Sequence, residues 1–284
     1  MNGFTAADSA FMARALRLAA RGRYTAHPNP MVGCVIVSAG EIAGEGYHEL
    51  AGEAHAEVNA LAAAGDRARG ATVYVTLEPC VHEGKTPPCV EALREAGVAE
   101  VVVAMEDPYP EVRGRGLEAL GRAGIAVRTG LMAEAAQALI AGFVKRTTRG
   151  RPLVRAKIAA SLDGAIGMLN GDSQWITGPE ARADVQRLRA RSGAVLTGIG
   201  TVLADDPSLT VRDPAIEMRG RQPLRAVLDP ILRMPLSAEM LALPGTTLVY
   251  CSDDAGRDRL VAAGAEVVRV AADAVGVAPG AVLE

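Results

Sequence analysis

The segment ATVYVTLEPCVHEGKTPPCVEALREAG, residues 71–97, predicts a strand, a loop and a helix in succession. Residues 71–77 form an apolar run typical of a buried strand. Residues 89–97 have a helical pattern that ends at Gly97. The loop between them carries Cys80 and Cys89, two of the chain's four cysteines. A strand followed by a helix is the repeating unit of an α/β fold.

The rest of the chain continues this alternation of strands and helices. At 284 residues the chain is long for one core. The polar stretch TTRGRP, residues 147–152, is the best candidate for a linker. We therefore predict two domains of three-layer α/β structure, over residues 1–148 and 152–284. The segments are a helix at 8–21, two strands within 31–47, helices at 55–65 and 116–124, strands at 100–105 and 125–130, a helix at 131–150, a strand at 152–160, a helix at 179–191, strands at 194–200, 224–229 and 246–252, a helix at 254–263 and a strand at 265–271.

Composition excludes several classes of protein. The formal net charge is −3, so no global basic field points to nucleic acid. No apolar run is long enough to span a membrane. The amphipathic N-terminus begins with a helix-capping pattern at Thr5–Asp8, which predicts an ordinary first helix instead of a transit peptide. Scattered cysteines favour a reduced, cytoplasmic location.

A zinc site is predicted from three separated residues. His55-Ala56-Glu57 lies at the start of a predicted helix, upstream of Cys80 and Cys89. A histidine and two cysteines give zinc three ligands and leave a fourth position for water, which is the pattern of a catalytic site. Glu57 lies beside the ligands and can shuttle a proton, as in zinc nucleobase deaminases. Cys34 could be a fourth, structural ligand, but its apolar strand VGCVIV favours core packing.

These residues resemble the cytidine deaminase superfamily. Eight residues separate the two cysteines, whereas deaminases of nucleosides and polynucleotides usually have two there. The segments PNPMVGCVIV, HAEVNAL and TLEPCVHEGKTPPC closely resemble the bifunctional riboflavin-biosynthesis deaminase/reductase family. The family usually has PCSHHG where this chain has PCVHEG, so Val81 and Glu83 are departures.

The resemblance implies a cytidine-deaminase-like, three-layer first domain. Its expected substrate is a diaminopyrimidinone that carries a phosphoribosylamine group. The expected substrate-binding residues, by position, are Asn29, His48, His82 and Lys85.

The second half resembles the reductase domain of the same family over KIAASLDGAIG, GDSQWITG and DDPSLTVR. This resemblance implies a dihydrofolate-reductase-like α/β fold that uses NADPH to reduce the ribosyl group to a ribityl chain. Lys157 then matches a catalytic lysine. The residues that match cofactor contacts are Ala159, Trp175, Thr201 and Asp205, and those that match substrate contacts are Ser173, Arg189, Leu209 and Arg212.

Nothing like the family's glycine-rich EGGPT turn occurs in the sequence. We therefore expect the second domain to be incomplete at its C-terminus, and a deaminase with an inactive reductase domain is an alternative. Two further alternatives are a nucleic-acid base deaminase and a non-catalytic module stabilised by zinc. The preferred interpretation is an enzyme that takes zinc, NADPH and a small phosphorylated pyrimidine, forms a homo-oligomer and has no nucleic-acid or membrane partner.

Overall fold

The computed structural model describes residues 3–81, 87–273 and 276–283. The chain divides into two compact units, Met1–Leu153 and Val154–Glu284. The division lies one residue beyond the polar stretch 147–152 that the sequence marks as a linker. Helices and strands alternate in both units, which confirms the predicted α/β fold class.

The first unit is built on one mixed sheet with the strand order β2-β1-β3-β4-β5. β1 pairs antiparallel with both β2 and β3, whereas β3, β4 and β5 are parallel. Its elements among the described residues are α1 (Ala6–Ala19), β1 (Gly33–Ser38), β2 (Glu41–Tyr47), α2 (Ala56–Ala64), β3 (Thr72–Val75), α3 (Cys89–Ala96), β4 (Glu100–Val103), α4 (Arg115–Arg122), β5 (Ala126–Thr129), α5 (Ala133–Leu139) and α6 (Ala141–Arg149).

Alternate residues of the central strands belong to two hydrophobic clusters, one on each face of the sheet, because successive side chains of a strand point to opposite faces. In β3, Val73 and Val75 belong to the cluster that holds α2, α3 and α4. Tyr74 belongs to the cluster that holds α1 and α5. The sheet is therefore the middle layer of three, as the sequence predicted.

Glycines allow α2 to lie in backbone contact with β2. A Cβ built on Gly46 would lie 2.4 Å from the Ala56 carbonyl oxygen and 2.5 Å from the Ala60 nitrogen. A Cβ built on Gly44 would meet the next turn of α2, at 2.3 Å from the Ala60 oxygen. Only glycine permits this approach, and it fixes the start of α2 against the end of β2.

A charged network holds α1 on the other face of the sheet. The predicted capping pattern is present, since Thr5 and Asp8 exchange hydrogen bonds at the start of α1. The buried Asp8 carboxylate also accepts hydrogen bonds from the Tyr74 hydroxyl at 2.6 Å and from Arg128 at 3.2 Å. The Arg128 guanidinium holds the pKa of Asp8 well below its usual range. The Arg128 guanidinium also donates a hydrogen bond to the Glu100 carboxylate at 2.7 Å. The network therefore joins α1 to β3, β4 and β5, which carry Tyr74, Glu100 and Arg128.

The second unit has a parallel sheet with the strand order β6-β7-β8-β9 and a separate two-stranded sheet. One hydrophobic cluster packs side chains of α8 and α10 against β7, β8 and β9. The described elements are α7 (Pro179–Ala190), β6 (Ala194–Gly198), α8 (Ile199–Asp205), β7 (Leu224–Leu228), α9 (Glu239–Ala242), β8 (Thr247–Cys251), α10 (Arg257–Ala262), β9 (Ala265–Arg269), β10 (Ala272–Asp273), β11 (Gly276–Val277) and α11 (Pro279–Val282).

Two predicted elements are wrong. The single helix predicted over 131–150 is two helices, because the backbone leaves helical geometry at Ile140 with φ −108° and ψ 27°. Ile140 is 5% exposed, so it anchors the break to the core. The strand predicted over 152–160 does not form, since no described strand pairs with this segment and Ile158 is 77% exposed. Apolar alternation alone does not supply the partner that a strand requires.

Within residues 3–81, 87–273 and 276–283, every helix falls short of the length and apolar character that a membrane-spanning segment needs.

We expect Gly46→Ala to destabilise the first unit by about 2 kcal/mol or more, because overpacking a core costs about 1–3 kcal/mol and this Cβ meets backbone atoms. The matched control is Gly121→Ala in α4, where a Cβ meets nothing within 4 Å. Four of the five tyrosines lie in the first unit, so near-ultraviolet circular dichroism in urea follows its unfolding. Equal unfolding midpoints for the two variants would contradict the packing argument.

Candidate metal and substrate sites

His55, Cys80 and Cys89 converge at one point of the first unit. Their ligand atoms all lie within 4.8 Å of one another. His55 Nδ1 lies 3.1 Å from Cys89 Sγ and 3.6 Å from Cys80 Sγ. The structure therefore brings together the three residues that the sequence predicted as metal ligands.

Helix starts position two of the three groups. His55 precedes α2, and its side chain contacts the cysteines without capping the helix. Cys89 is the first residue of α3 and is fully buried. Cys80 follows β3, outside helix and strand, and its Sγ accepts the Cys89 N–H at 3.4 Å. A helix N-terminus favours negative charge, which suits a thiolate at this place.

The proton balance of the cluster favours a thiolate at Cys80. Hydrogen bonds from the Cys89 side chain and from His55 lower the pKa of Cys80. The contact with Cys80 raises the pKa of Cys89, and burial adds to this effect. Bonding to Cys80 also raises the pKa of His55.

Glu57 is a buried carboxylate beside the cluster. Glu57 is only 3% exposed, and its carboxylate forms a hydrogen bond with the Cys89 side chain. Burial, with the neighbouring Cys80 charge, raises the pKa of Glu57 to about 7. A carboxylate held in such surroundings is able to take up and release a proton.

His48 and Asn29 form a bonded pair next to the cluster. The His48 and His55 rings meet edge to face, with centroids 5.4 Å apart. His48 Nδ1 donates to the Ala54 carbonyl at 3.2 Å, which leaves Nε2 to accept from Asn29 Nδ2 at 3.0 Å. Burial lowers the pKa of His48, which favours the neutral ring. Two of the four predicted substrate residues are thus adjacent to the metal ligands. The other two, His82 and Lys85, lie outside the described residues.

In the second unit, Arg189 and Arg212 are close neighbours. Burial lowers the pKa of Arg189, and the positive charge of Arg212 adds to the shift. The Arg189 guanidinium donates to the Thr210 carbonyl at 3.2 Å, and the Arg212 N–H donates to Gln186 Oε1 at 2.8 Å. Within residues 87–273, no carboxylate forms a salt bridge with either arginine. Two neighbouring cations of this kind suit an anionic ligand.

Leu209, another predicted substrate residue, is buried in the hydrophobic cluster of the second unit and has φ 51°. This left-handed conformation is rare for a residue other than glycine.

The remaining predicted reductase residues lie on separate elements. Thr201 and Asp205 are exposed on α8, four residues apart. Lys157, Ala159, Ser173 and Trp175 lie in the segment before α7, which has neither helix nor strand.

Sequence reasoning missed several residues that support these sites. Asn59, one turn after His55 on α2, donates to the Tyr47 carbonyl at 2.9 Å and so fixes the end of β2 beside His48. The Arg182 guanidinium stacks on the Trp175 ring, 4.6 Å from its centroid. The i, i+4 spacing of His55 and Asn59 could have identified Asn59 from the sequence. The Arg182 contact could not be predicted in this way, because it joins a helix to a segment without regular secondary structure.

The donor set fits zinc. Two sulfurs that each lie about 2.3 Å from a tetrahedral zinc are about 3.8 Å apart, which is compatible with ligand atoms within 4.8 Å of one another. Cys34 is fully buried in the hydrophobic cluster of β1 and β3. The described cluster therefore offers three protein ligands, the number found in catalytic zinc sites.

Comparison with family models assigns both halves of the chain. The cytidine and deoxycytidylate deaminase zinc-binding region matches residues 5–105. The RibD C-terminal domain matches residues 152–277. The first match supports Zn²⁺, and the second, a reductase domain, implies a nicotinamide cofactor.

Individual relatives agree with this assignment. The riboflavin biosynthesis protein RibD of Escherichia coli strain K12 is 55% identical over 249 residues, which cover 84% of this chain and 68% of the relative. RibD of Bacillus amyloliquefaciens is 45% identical over 267 residues, which cover 93% of this chain and 71% of the relative. The chain thus spans about two thirds of the length of these proteins.

Solved structures show the same likeness. Acinetobacter baumannii RibD, form 1, has a TM-score of 0.89 at 49% identity and is matched over 93% of this chain and 74% of that one. A Thermotoga maritima protein, titled a diaminohydroxyphosphoribosylaminopyrimidine deaminase/5-amino-6-(5-phosphoribosylamino)uracil reductase, has a TM-score of 0.81 at 37% identity over 94% of this chain and 75% of that one. The chain belongs to the RibD family of riboflavin-biosynthesis deaminase/reductases.

Proposed function

We propose that the first unit deaminates 2,5-diamino-6-(5-phosphoribosylamino)pyrimidin-4(3H)-one, and that the second unit reduces the ribosyl group of the product to a ribityl chain with NADPH. The observation that carries the deaminase assignment is the convergence of His55, Cys80 and Cys89 beside the buried Glu57. The name of the Thermotoga maritima relative, a diaminohydroxyphosphoribosylaminopyrimidine deaminase, supports this substrate.

The proposed deamination replaces a ring amino group by oxygen. His55, Cys80 and Cys89 would hold the zinc. When bound, zinc supplies a Lewis acid that activates water. The Glu57 carboxylate takes one proton from the attacking water and delivers it to the departing amino group. The second proton of the water goes to the neighbouring ring nitrogen, the ring gains a carbonyl and ammonia leaves, so one water is consumed for each ammonia released.

Asn29 and His48 are the proposed ring-binding groups. Because His48 uses Nε2 to accept from Asn29 Nδ2, the Asn29 amide is held in one orientation. Among the described residues no group donates to Asn29 Oδ1, which is available to accept an N–H of the pyrimidine. His82 and Lys85 stay predictions for the same pocket.

The reductase assignment rests on the second family match and on the arginine pair. Arg189 and Arg212 are proposed to bind the phosphate of the substrate, with Ser173 and Leu209 beside it. Ala159, Trp175, Thr201 and Asp205 are the proposed NADPH contacts, and Lys157 is proposed to orient or protonate the sugar oxygen. The proposed domain boundaries are 1–148 and 152–284.

A nucleic-acid base deaminase would share the zinc chemistry. Likeness to RibD over both halves of the chain favours the small-molecule substrate instead. A cytoplasmic location, a homo-oligomeric assembly and the absence of a nucleic-acid partner stay predictions from the sequence.

We expect the purified chain to carry about one zinc, as three-ligand catalytic sites do. Cys89→Ser should lose the metal, because a hydroxyl replaces a thiolate ligand. Cys34→Ala is the matched control, since it changes a buried cysteine of the same unit outside the cluster. Metal analysis after dialysis measures the difference. Full zinc retention by Cys89→Ser would show that the cluster is not the metal site.

Glu57→Gln should keep its zinc and lose deamination by about 10²–10⁴-fold, because the amide cannot carry the proton. Glu91→Gln, an exposed change on α3, is the control and should deaminate normally. Ammonia release per bound zinc is the measurement. Normal turnover by zinc-loaded Glu57→Gln would remove the proposed role of Glu57.

Inorganic phosphate should stabilise the second unit by about 1.4 kcal/mol at ten times its Kd, because it binds the folded arginine pair. Arg212→Gln should abolish this gain. Arg187→Gln, whose exposed arginine pairs with Asp184 on the same helix as Arg189, should retain it. Trp175 is the single tryptophan and lies in this unit, so its fluorescence during denaturation reports the effect. The stabilisation by phosphate is measured relative to chloride at the same ionic strength. Equal stabilisation of the wild type, Arg212→Gln and Arg187→Gln would mean that the arginine pair is not the binding site.

A further inference from the structure

Glu78 is a second buried carboxylate near the metal cluster, two residues before Cys80. It is 3% exposed. Its carboxylate accepts four backbone N–H bonds from the segment 107–117, which leads from β4 into α4. The donors are Asp107 at 3.0 Å, Gly114 at 3.0 Å, Gly116 at 2.8 Å and Leu117 at 3.3 Å. These four hydrogen bonds of the Glu78 side chain thus all join it to the segment 107–117.

The division of these bonds between the two oxygens fixes the carboxylate in place. Oε1 accepts from Gly116 and Leu117, in the first turn of α4, where helix N–H groups have no partner within the helix. Oε2 accepts from Asp107 and Gly114, at the two ends of the loop. Bonds to an ionised acceptor are stronger than neutral ones, and the positive end of a helix adds to them.

The main chain around Glu78 is held as closely as its side chain. The Glu78 N–H donates to the Met105 carbonyl at 3.0 Å. A Cβ built on Gly116 would lie 2.2 Å from the Pro79 carbonyl oxygen, so Pro79 packs directly on the start of α4. The Leu77–Glu78 and Pro79–Cys80 peptide units are therefore both held, immediately before Cys80.

The three metal-binding side chains differ in how they are held. His55 and Cys89 lie at helix starts. Cys80 lies outside helix and strand, where its carbonyl accepts the Val90 N–H at 3.3 Å. Its position also depends on the residues that lead to it from β3, and Glu78 ties those residues to α4.

We propose that Glu78 is a positioning residue for the metal centre, which sets the place of Cys80 Sγ by anchoring the Glu78–Cys80 segment to the start of α4. This inference rests on the proposed zinc site. It assigns to α4, an element that carries none of the proposed ligands, a part in holding the metal.

Glu78→Gln tests the proposal, because it keeps the length of the side chain. One of its two terminal groups becomes an NH₂ that cannot accept from the backbone donors, so two of the four bonds are lost. Groups that orient metal ligands typically contribute 10–100-fold to metal affinity. We therefore expect zinc to leave Glu78→Gln about 10–100-fold faster than the wild type when a chelator is in excess.

The matched control is Asp8→Asn. Asp8 is also a buried carboxylate of the first unit with several donors, but it belongs to the network of α1 and Arg128. Asp8→Asn should lower the unfolding midpoint and release zinc close to the wild-type rate. If Glu78→Gln does not fold, Gly116→Ala replaces it, since its Cβ displaces Pro79 from the α4 side.

The measurement is zinc release from the full chain into EDTA, with near-ultraviolet circular dichroism to confirm that each variant is folded. Faster release from Glu78→Gln or Gly116→Ala than from Asp8→Asn supports the proposal. Equal release from wild type and Glu78→Gln overturns it, and so does equally fast release from Asp8→Asn, which would mean general loosening. A wild type that binds no zinc would instead refute the metal site itself, and this result is separate from the others.

Discussion

The place of the metal cluster depends on direct backbone contact between α2 and β2. Gly44 and Gly46 remove the side chains that would hold the helix away from the strand. α2 therefore begins where β2 ends, so that His55 lies beside His48. Because β1 is antiparallel to both β2 and β3, these two strands end on the same side of the sheet, and Cys80, which follows β3, comes to that side. Cys89, the first residue of α3, completes the cluster.

Two buried carboxylates near the cluster are held in opposite ways. Glu57 lies beside the metal cluster, where burial and the neighbouring Cys80 charge raise its pKa to about 7. Glu78 accepts hydrogen bonds from four backbone N–H groups of one segment, which hold its carboxylate in place. A carboxylate with few donors can exchange a proton, whereas one with many donors anchors the chain. The same residue type thus supports chemistry at one position and structure at the other.

Local pattern predicted much of this arrangement. The apolar run of β3, the helix ended by Gly97 and the triad of His55, Cys80 and Cys89 could be read from neighbouring residues. The break at Ile140 and the missing strand at 152–160 could not, because each depends on packing or on a partner strand. Glu78 escaped notice for the same reason, since its donors lie 29–39 residues further along the chain. Roles in metal binding and catalysis stay predictions, and His82 and Lys85 lie outside the described residues.

X-ray absorption at the zinc edge tests the central claim most directly. The account predicts two sulfur ligands at about 2.3 Å and one imidazole nitrogen at about 2.0–2.1 Å, with a light atom in the fourth position. Cys89→Ser should then remove one sulfur from the spectrum of any zinc that remains. Three or four sulfurs in the wild-type spectrum, or a zinc bound only by nitrogen and oxygen, would contradict the three-ligand site.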